Sequence, residues 1–257
     1  MIFGKYKSLE SKQWGNLYNL DMLESLVKKI QNSTVSFWTN EMLSIAKKNN
    51  CKRILEIGPG SGETALYLAN AGYDVTVLDF SNEVIELIEV AATRIGCFID
   101  TVLHDARLPL PFNNVNFDII YSIGLMEHFS ETVRIEMLKQ WRHFANVVIS
   151  MVPNAASLCY RLGKEQQEEQ GTWIWGEENP LYTQMNEFIL AHYEIKEEYT
   201  IGDLHSLSFL SENDELRKVM RRLLMVRAKK GISDCFHQGY LLVTVGCSKS
   251  NNNLTFC

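Results

Sequence analysis

No apolar stretch in this chain approaches the ~20 residues that a membrane helix requires, so a helical membrane protein is excluded. An excess of positive charge is also missing. Twenty-five Lys+Arg stand against 31 Asp+Glu, for a formal charge of −6. That excludes a generally basic nucleic-acid or membrane-surface protein and leaves only a local basic patch open. Closely spaced cysteines are absent. Cys51, Cys97, Cys159, Cys235, Cys247 and Cys257 lie far apart with no C-x-x-C pair, against a zinc cluster or disulfide scaffold and for the reduced thiols of a cytoplasmic protein. The start, MIFGKYKS, has no apolar h-region and no small-residue cleavage site, so no secretory signal is expected. Internal repeats and long low-complexity segments are lacking too. What remains is 257 residues, 46% hydrophobic and 22% charged. This is the balance of a globular chain with one large domain, or one domain and a cap, and not of a disordered, collagenous or coiled-coil protein.

Periodicity supplies the organisation. Leu17, Leu20, Leu23, Leu26, Val27 and Ile30 share one helical face, and a second short helix carries Trp38, Met42 and Ile45 before the polar stop Lys47-Lys48-Asn49-Asn50. These two helices read as an N-terminal cap over residues 1–50, apart from the core. From residue 51 the rhythm changes. Arg53–Ile57 and Asp74–Asp79 are short β-rich runs, each followed by a helical pattern, over Thr64–Ala71 and after Ser81. Cys97–Leu103, Phe117–Ser122 and Ala145–Val152 read as strands three to five. Strands alternating with helices predict a parallel sheet wound on both faces. The stretch 155–190, with Trp173-Ile174-Trp175-Gly176, is too long for a simple connection and is expected to be a cap inserted after strand five, with boundaries at 155–210. Ser211–Lys230 predicts a helix capped by Ser211 and Asp214 and stopped by Gly231, Gln238–Val245 a last strand, and Asn251-Asn252-Asn253 a frayed tail.

Between the first strand and first helix stands Glu56-Ile57-Gly58-Pro59-Gly60-Ser61-Gly62-Glu63, where an open α/β sheet binds ligands. Asp79 ends the next strand, 21 residues after Gly58, placed for ribose hydroxyls. A dinucleotide site and a nucleoside site share this geometry. The dinucleotide fingerprint, however, wants its third glycine where Glu63 stands, and a carboxylate at the helix N-terminus repels a pyrophosphate. With Glu56 adding negative charge beneath the loop, the cradle suits a ligand with an amino group and a sulfonium.

This E-x-G-x-G-x-G followed by Asp79 resembles the class I S-adenosylmethionine-dependent methyltransferases of small-molecule type. The resemblance continues through His104-Asp105-Ala106, Leu108-Pro109-Leu110-Pro111-Phe112, Phe117-Asp118-Ile119-Ile120 and Ser122-Ile123-Gly124-Leu125-Met126-Glu127-His128-Phe129, over roughly residues 52–153. It implies a Rossmann-like, doubly wound, mostly parallel α/β sheet within a methyltransferase domain over 51–257, and S-adenosylmethionine as cofactor. Gly58, Gly60 and Gly62 would pass under the methionine part with Glu56 near its amino end. Asp79 would take the ribose hydroxyls, Phe80 would flank the adenine, Asp105 and the Ala106 backbone would read the adenine edge, and Ile123 would join the cofactor site. The alternatives are an NAD-dependent oxidoreductase and a non-catalytic methyltransferase-like binding subunit.

Methyl transfer from a sulfonium is an in-line displacement that asks mainly for alignment and exclusion of water. His128, just beyond strand four, is the candidate base, its alternative being an anchor for its own loop. No Asn/Asp-Pro-Pro-aromatic sequence follows strand four, no cysteine stands beside Pro153, and Glu127 has no near partner in a paired-glutamate loop. Amino-group methylation of DNA bases, attack on cytosine and arginine methylation are thereby disfavoured. The basic run Arg217, Lys218, Arg221, Arg222, Arg227, Lys229, Lys230 follows acids in its helix, as the helix dipole favours, so nucleic acid is not an expected partner. A small organic acceptor, methylated on O, N or S, is. Trp173, Trp175 and Tyr182 are the candidate acceptor residues or else a satellite core, and the N-terminal Trp14 and Tyr18 are aromatics able to close over the cofactor. No His/Cys/carboxylate set has ligand spacing along the chain, so no metal is expected.

Overall fold

The computed structural model describes residues 12–113, 116–229 and 238–248. Its frame is a seven-stranded sheet of order β3-β2-β1-β4-β5-β7-β6, with strands β1 Arg53–Ile57, β2 Asp74–Asp79, β3 Asp100–Leu103, β4 Phe117–Ile123, β5 Ala145–Pro153, β6 Glu194–Ile201 and β7 Leu241–Cys247. The first five pair in parallel, and β7 runs antiparallel between β5 and β6. The central strands are apolar on both faces: β5 and β7 are buried almost throughout, as a sheet covered on two sides demands.

After α1, described over residues 12–17, helices α2 Leu23–Gln31, α3 Phe37–Lys48, α4 Glu63–Asn70 and α5 Asn82–Ile95 cover one face. Leu26, Val27, Ile30, Met42 and Ile45 lie in one cluster with Leu66, Leu87, Ile119 and Val243. The N-terminal helices therefore complete the main core and are not a cap apart from it. Their apolar faces were legible, but which surface they cover was not. Helix α6 Glu131–Trp141 and α8 Met185–Leu190 cover the other face, with Trp141, Phe188 and Tyr193 buried against Ile120 and Val148.

Three further boundaries differ from the sequence reading. The segment 155–210 is more than an insert, because it contains β6, the sheet's edge strand. Its sequence, EIKEEYTI, is charged and only half-buried, so an apolar-run criterion passes over it, while charge on an edge discourages further pairing. Strand β3 is confined to Asp100–Leu103. Helix α10 Glu215–Lys229 starts later than Ser211, since Asp214 Oδ1 accepts from the Leu216 N–H at 2.8 Å and so caps it. Between these lie α7 Leu158–Glu169 and α9 Asp203–Ser206; Cys159, Leu207, Leu210 and Leu224 form a satellite cluster of α7, α10 and the turn after α9. Lys230, Gly231 and Asn251-Asn252-Asn253 lie outside the described residues, as do the side chains of Arg227 and Lys229. Cys51, Cys97 and Cys159 are free thiols, whereas Cys247 is disulfide-bonded, against the expectation of reduced cysteines throughout. No helix among the described residues is long and apolar enough to cross a membrane.

Candidate active site

Strand order reverses between β1 and β4, and a cavity of about 300 Å³ opens there at the carboxyl ends of the strands. The loop from β1 to α4 forms its floor. Gly58, Gly60 and Gly62 hold φ of +69°, +54° and +72°, a region that a side chain enters only at a cost. Space is short as well: a Cβ on Gly62 would come within 2.5 Å of Ile88 Cγ1, and one on Gly60 within 3.2 Å of the Tyr18 ring. The loop is anchored where the Gly58 N–H donates to Leu78 O at 2.9 Å. Gly58 and Gly60 reach the cavity, but Gly62 packs against α5 instead.

Asp79, Phe80, Asp105, Ala106, Ile123, His128 and Trp175 all line this cavity. Asp79 to His128 meet because β1, β2, β3 and β4 end at one edge, and Trp175 reaches them from the loop after the later helix Leu158–Glu169; the His104 N–H donating to Asp79 O at 2.7 Å ties two of those strand ends together. Asp79 is 7% exposed. Burial pushes its carboxyl up to about 6, against the hydrogen bonds from the Ser81 and Phe80 backbone. Asp105 does not stand open: Arg107 Nε and Nη2 donate to its two oxygens at 3.0 and 2.9 Å.

Besides Gly62, four expected residues lie elsewhere. Glu56 is buried beneath the loop, where the Tyr121 hydroxyl donates to Oε2 at 2.7 Å. Burial raises its carboxyl to about 8, so at neutral pH it is largely uncharged and supplies little of the negative field expected of it. Trp173 donates from Nε1 to Gly176 O at 3.0 Å and sits over Lys164 and beside Tyr160. Tyr182 is 70% exposed and away from the cavity. Glu63 also faces away from the ligand space. It accepts from the Ser36 N–H at 2.6 Å, Thr39 Oγ1 at 3.2 Å and Lys29 Nζ at 3.1 Å. Burial pushes that carboxyl up, but the Ser36 and Lys29 partners outweigh it and hold it below the usual carboxylate range. Glu63 therefore fastens α2 and α3 to the glycine loop, and its charge is spent on that link.

Residues not assigned from sequence complete the walls. Gln13, Arg107, Leu125, Phe129, Gly176 and Glu177 line the cavity alongside Trp14 and Tyr18. The Trp14 ring lies stacked 6.2 Å from Tyr18 and edge-on at 5.0 Å to His128; Tyr18 lies 6.2 Å from Trp175. Trp38, in contrast, packs on Phe37 and His205. At the wall bearing His128, the fold also gathers Glu127 and Glu178, with ligand-type atoms of all three within 4.8 Å of one another. Spacing along the chain gives no hint of this group, because Glu178 arrives from a loop that returns past β4.

Residues 54–146 match the model of a family described as a methyltransferase domain. A curated ubiquinone biosynthesis O-methyltransferase of Photobacterium profundum is 32% identical over 77 residues, which is 30% of this chain and 33% of that protein. The match thus spans about a third of the relative's length. Among solved structures, the domain's fold recurs in an S-adenosylmethionine-dependent methyltransferase from Clostridium acetobutylicum, at TM-score 0.58 and 10% identity over 89% of this chain and 98% of that one. It recurs in magnesium protoporphyrin IX methyltransferase from Synechocystis, solved with bound SAH, at TM-score 0.57 and 11% identity over 95% and 96%. A [4+2]-cyclase is similar at TM-score 0.54 and 14% identity over 82% and 80%. These likenesses establish the fold, and the cyclase shows that one fold hosts more than one chemistry.

Proposed function

We propose that this protein transfers a methyl group from S-adenosylmethionine to O, N or S of a small organic acceptor. The observation that carries the reading is the meeting, in one cavity, of Gly58 and Gly60 with Asp79, Phe80, Asp105 and Ala106. The residues suit a nucleoside ligand without phosphate. Asp79 offers carboxylate oxygens to a diol, and among the described lining residues the one guanidinium or ammonium, Arg107, is engaged with Asp105. A lining whose guanidinium is already paired offers little to a pyrophosphate, which counts against the oxidoreductase alternative.

In this reading S-adenosylmethionine supplies an electrophilic methyl on a sulfonium. The protein's residues orient and shield. Asp79 fixes the ribose, Phe80 flanks the base, Asp105 and the Ala106 backbone read its edge, and Gly58 and Gly60 let the backbone come close to the methionine part. Trp14, Tyr18 and Trp175 wall off water and hold the acceptor in line with the methyl. His128 belongs to the acceptor end. Its Nδ1 faces the Glu177 carbonyl at 2.8 Å, so the ring's bare nitrogen is Nε2.

The experiment is a melting-temperature comparison with S-adenosylmethionine and NAD, followed by an acceptor screen with labelled S-adenosylmethionine and product mass. Stabilisation by S-adenosylmethionine and a mass gain of one methyl group are expected. Stabilisation by NAD alone would replace the reading with the oxidoreductase, and cofactor binding without turnover would leave a binding subunit.

A further inference from the structure

The group at the far wall of the cavity is short of hydrogen-bond donors. Glu127 and His128 lie in the single 3₁₀ turn Met126–His128 after β4. Glu178 is strapped beside them, since the Asn179 N–H donates to Glu127 O at 3.0 Å and His128 Nδ1 meets Glu177 O at 2.8 Å. A carbonyl can only accept, so Nδ1 carries the proton and the neutral ring turns a bare lone pair out at Nε2. That Nε2 lies 3.9 Å from Glu127 Oε1. Glu127 is 1% exposed, and its Oε2 has no partner. Glu178 takes the Tyr160 hydroxyl on Oε2 at 2.7 Å, which leaves its second oxygen.

Three acceptors therefore face one another, Glu127 buried and His128 and Glu178 half-buried. The cations whose charge reaches them are committed elsewhere: Lys164 pairs with Glu168, and Arg134 with Glu187 at 2.7 Å. Buried acceptors without a donor are costly unless a positive group stands among them.

We propose that Glu127, His128 and Glu178 bind a divalent transition-metal ion at the acceptor end of the cavity. Two carboxylates balance the ion's charge. The imidazole favours zinc, manganese, iron or cobalt over magnesium and calcium, which prefer oxygen alone. A histidine held through Nδ1 by a backbone carbonyl, with Nε2 free, is oriented in the way metal-binding histidines are. Tetrahedral ligand atoms about 2.0–2.2 Å from an ion lie about 3.4 Å apart, so these three groups, whose ligand atoms lie within 4.8 Å of one another, close on an ion with side-chain shifts of up to about 1 Å. His128 is then a ligand and not a base. The ion's open positions face the cavity that His128 lines, where they would take an oxygen or nitrogen of the acceptor. That last placement rests on the methyl-transfer reading, but the binding of the ion does not.

The test uses chelator-treated full-length protein and Mn²⁺ alone, followed by calorimetry and electron paramagnetic resonance. One Mn²⁺ per chain is expected, with a hyperfine coupling to a single imidazole nitrogen. Glu178→Gln and His128→Gln should each weaken binding at least ~10-fold, while Glu136→Gln, in an exposed pair with Lys139 on α6, leaves it unchanged. Saturable binding absent up to ~1 mM, the weak end of biological sites, overturns the proposal. So does a bound ion without nitrogen coupling, or equal losses in all three variants. If the Gln variants fail to fold, the nitrogen coupling in the unsubstituted protein decides alone. Site-specific Mn²⁺ binding with no methyl transfer would leave this site standing and remove only the functional reading.

Discussion

The Arg107 guanidinium closes on the Asp105 carboxylate through paired hydrogen bonds of 3.0 and 2.9 Å, at the wall expected to read an adenine edge. A carboxylate accepts at about four lone-pair positions, so a bidentate arginine leaves room for an amino group and fixes the direction in which it must arrive. Arg107 is about one-third exposed in its side chain, and such a pair adds little to folding, about 0–1 kcal/mol. Arg107→Ala should therefore shift the melting temperature slightly while weakening S-adenosylmethionine by several-fold, as Asp105 loses its orientation. Calorimetric affinity unchanged by the substitution would mean that Asp105 does not contact the base.

Asp79 yields a pH prediction. Its carboxyl is pushed up to about 6 by burial, and a ribose diol donates two hydrogen bonds to the ionised form only. Cofactor affinity should thus be full above pH 7 and decline as the pH falls through about 6. Loss of both charge-assisted bonds in Asp79→Ala should cost on the order of 2–3 kcal/mol of binding. Asp79→Asn should flatten the pH profile. A profile that keeps its decline in Asp79→Asn would assign the titration to another group.

Glu63 yields the opposite sign, and for stability. Its folded pKa is lowered, so the stabilisation is present above the usual carboxylate pKa, near 4.5, and is lost as pH falls through the folded value. Glu63→Gln keeps an acceptor for the Ser36 N–H but loses the Lys29 ion pair, whose ammonium is half-exposed. Glu63→Ala strands the Ser36 N–H, while the Thr39 hydroxyl keeps Thr64 Oγ1 at 2.8 Å, and should cost about 1–3 kcal/mol by denaturant unfolding. A Glu63→Ala variant as stable as the unsubstituted chain would show that α2 and α3 do not depend on this link.

How these residues read in sequence explains what was legible. The strands β1, β2, β4 and β5 are apolar runs beside turn signals, and their order along the chain carries the parallel sheet. Glycines, Asp79 and Asp105 sit at strand ends, so local pattern places them near a common edge. Edge strand β6 carries no apolar run, and Glu63 looks like a ligand-facing acid because spacing cannot tell which side of a helix N-terminus a side chain takes. Arg107 and Glu178 are fixed by tertiary approach: one folds back on a carboxylate two residues away, the other comes beside Glu127 from a loop some 50 residues later. Nothing in periodicity records either.

Gly62 tests the loop's packing. It combines φ +72° with a Cβ position 2.5 Å from Ile88 Cγ1, whereas Gly72 combines φ +92° with open space. The left-handed conformation alone costs an alanine ~1–2 kcal/mol, and crowding a packed core adds ~1–3 kcal/mol. Gly62→Ala should therefore destabilise clearly more than Gly72→Ala. Equal losses would show that α5 yields to the added methyl group.

The two tryptophans of the expected cap play different parts in the structure, so their variants should part company. Trp175 lines the cavity and lies 6.2 Å from Tyr18, whose ring covers Gly60. Trp173 is tied to Gly176 O and packs with Lys164 and Tyr160, beside the satellite cluster. Removing Trp173 should act on the fold, with a loss of about 1–3 kcal/mol, below the range of a fully buried tryptophan because it is only partly covered. Kinetics in the folded fraction should change little. Removing Trp175 should spare the melting temperature, lower acceptor turnover and, through Tyr18, weaken the cofactor by more than independent sites would allow. A Trp175→Ala, Tyr18→Ala cycle measures that coupling directly. Strict additivity in cofactor affinity would separate the segment around Trp175 from the cofactor and confine it to the acceptor. A fall in stability for Trp175→Ala with unchanged kinetics would move that tryptophan into the satellite core beside Trp173.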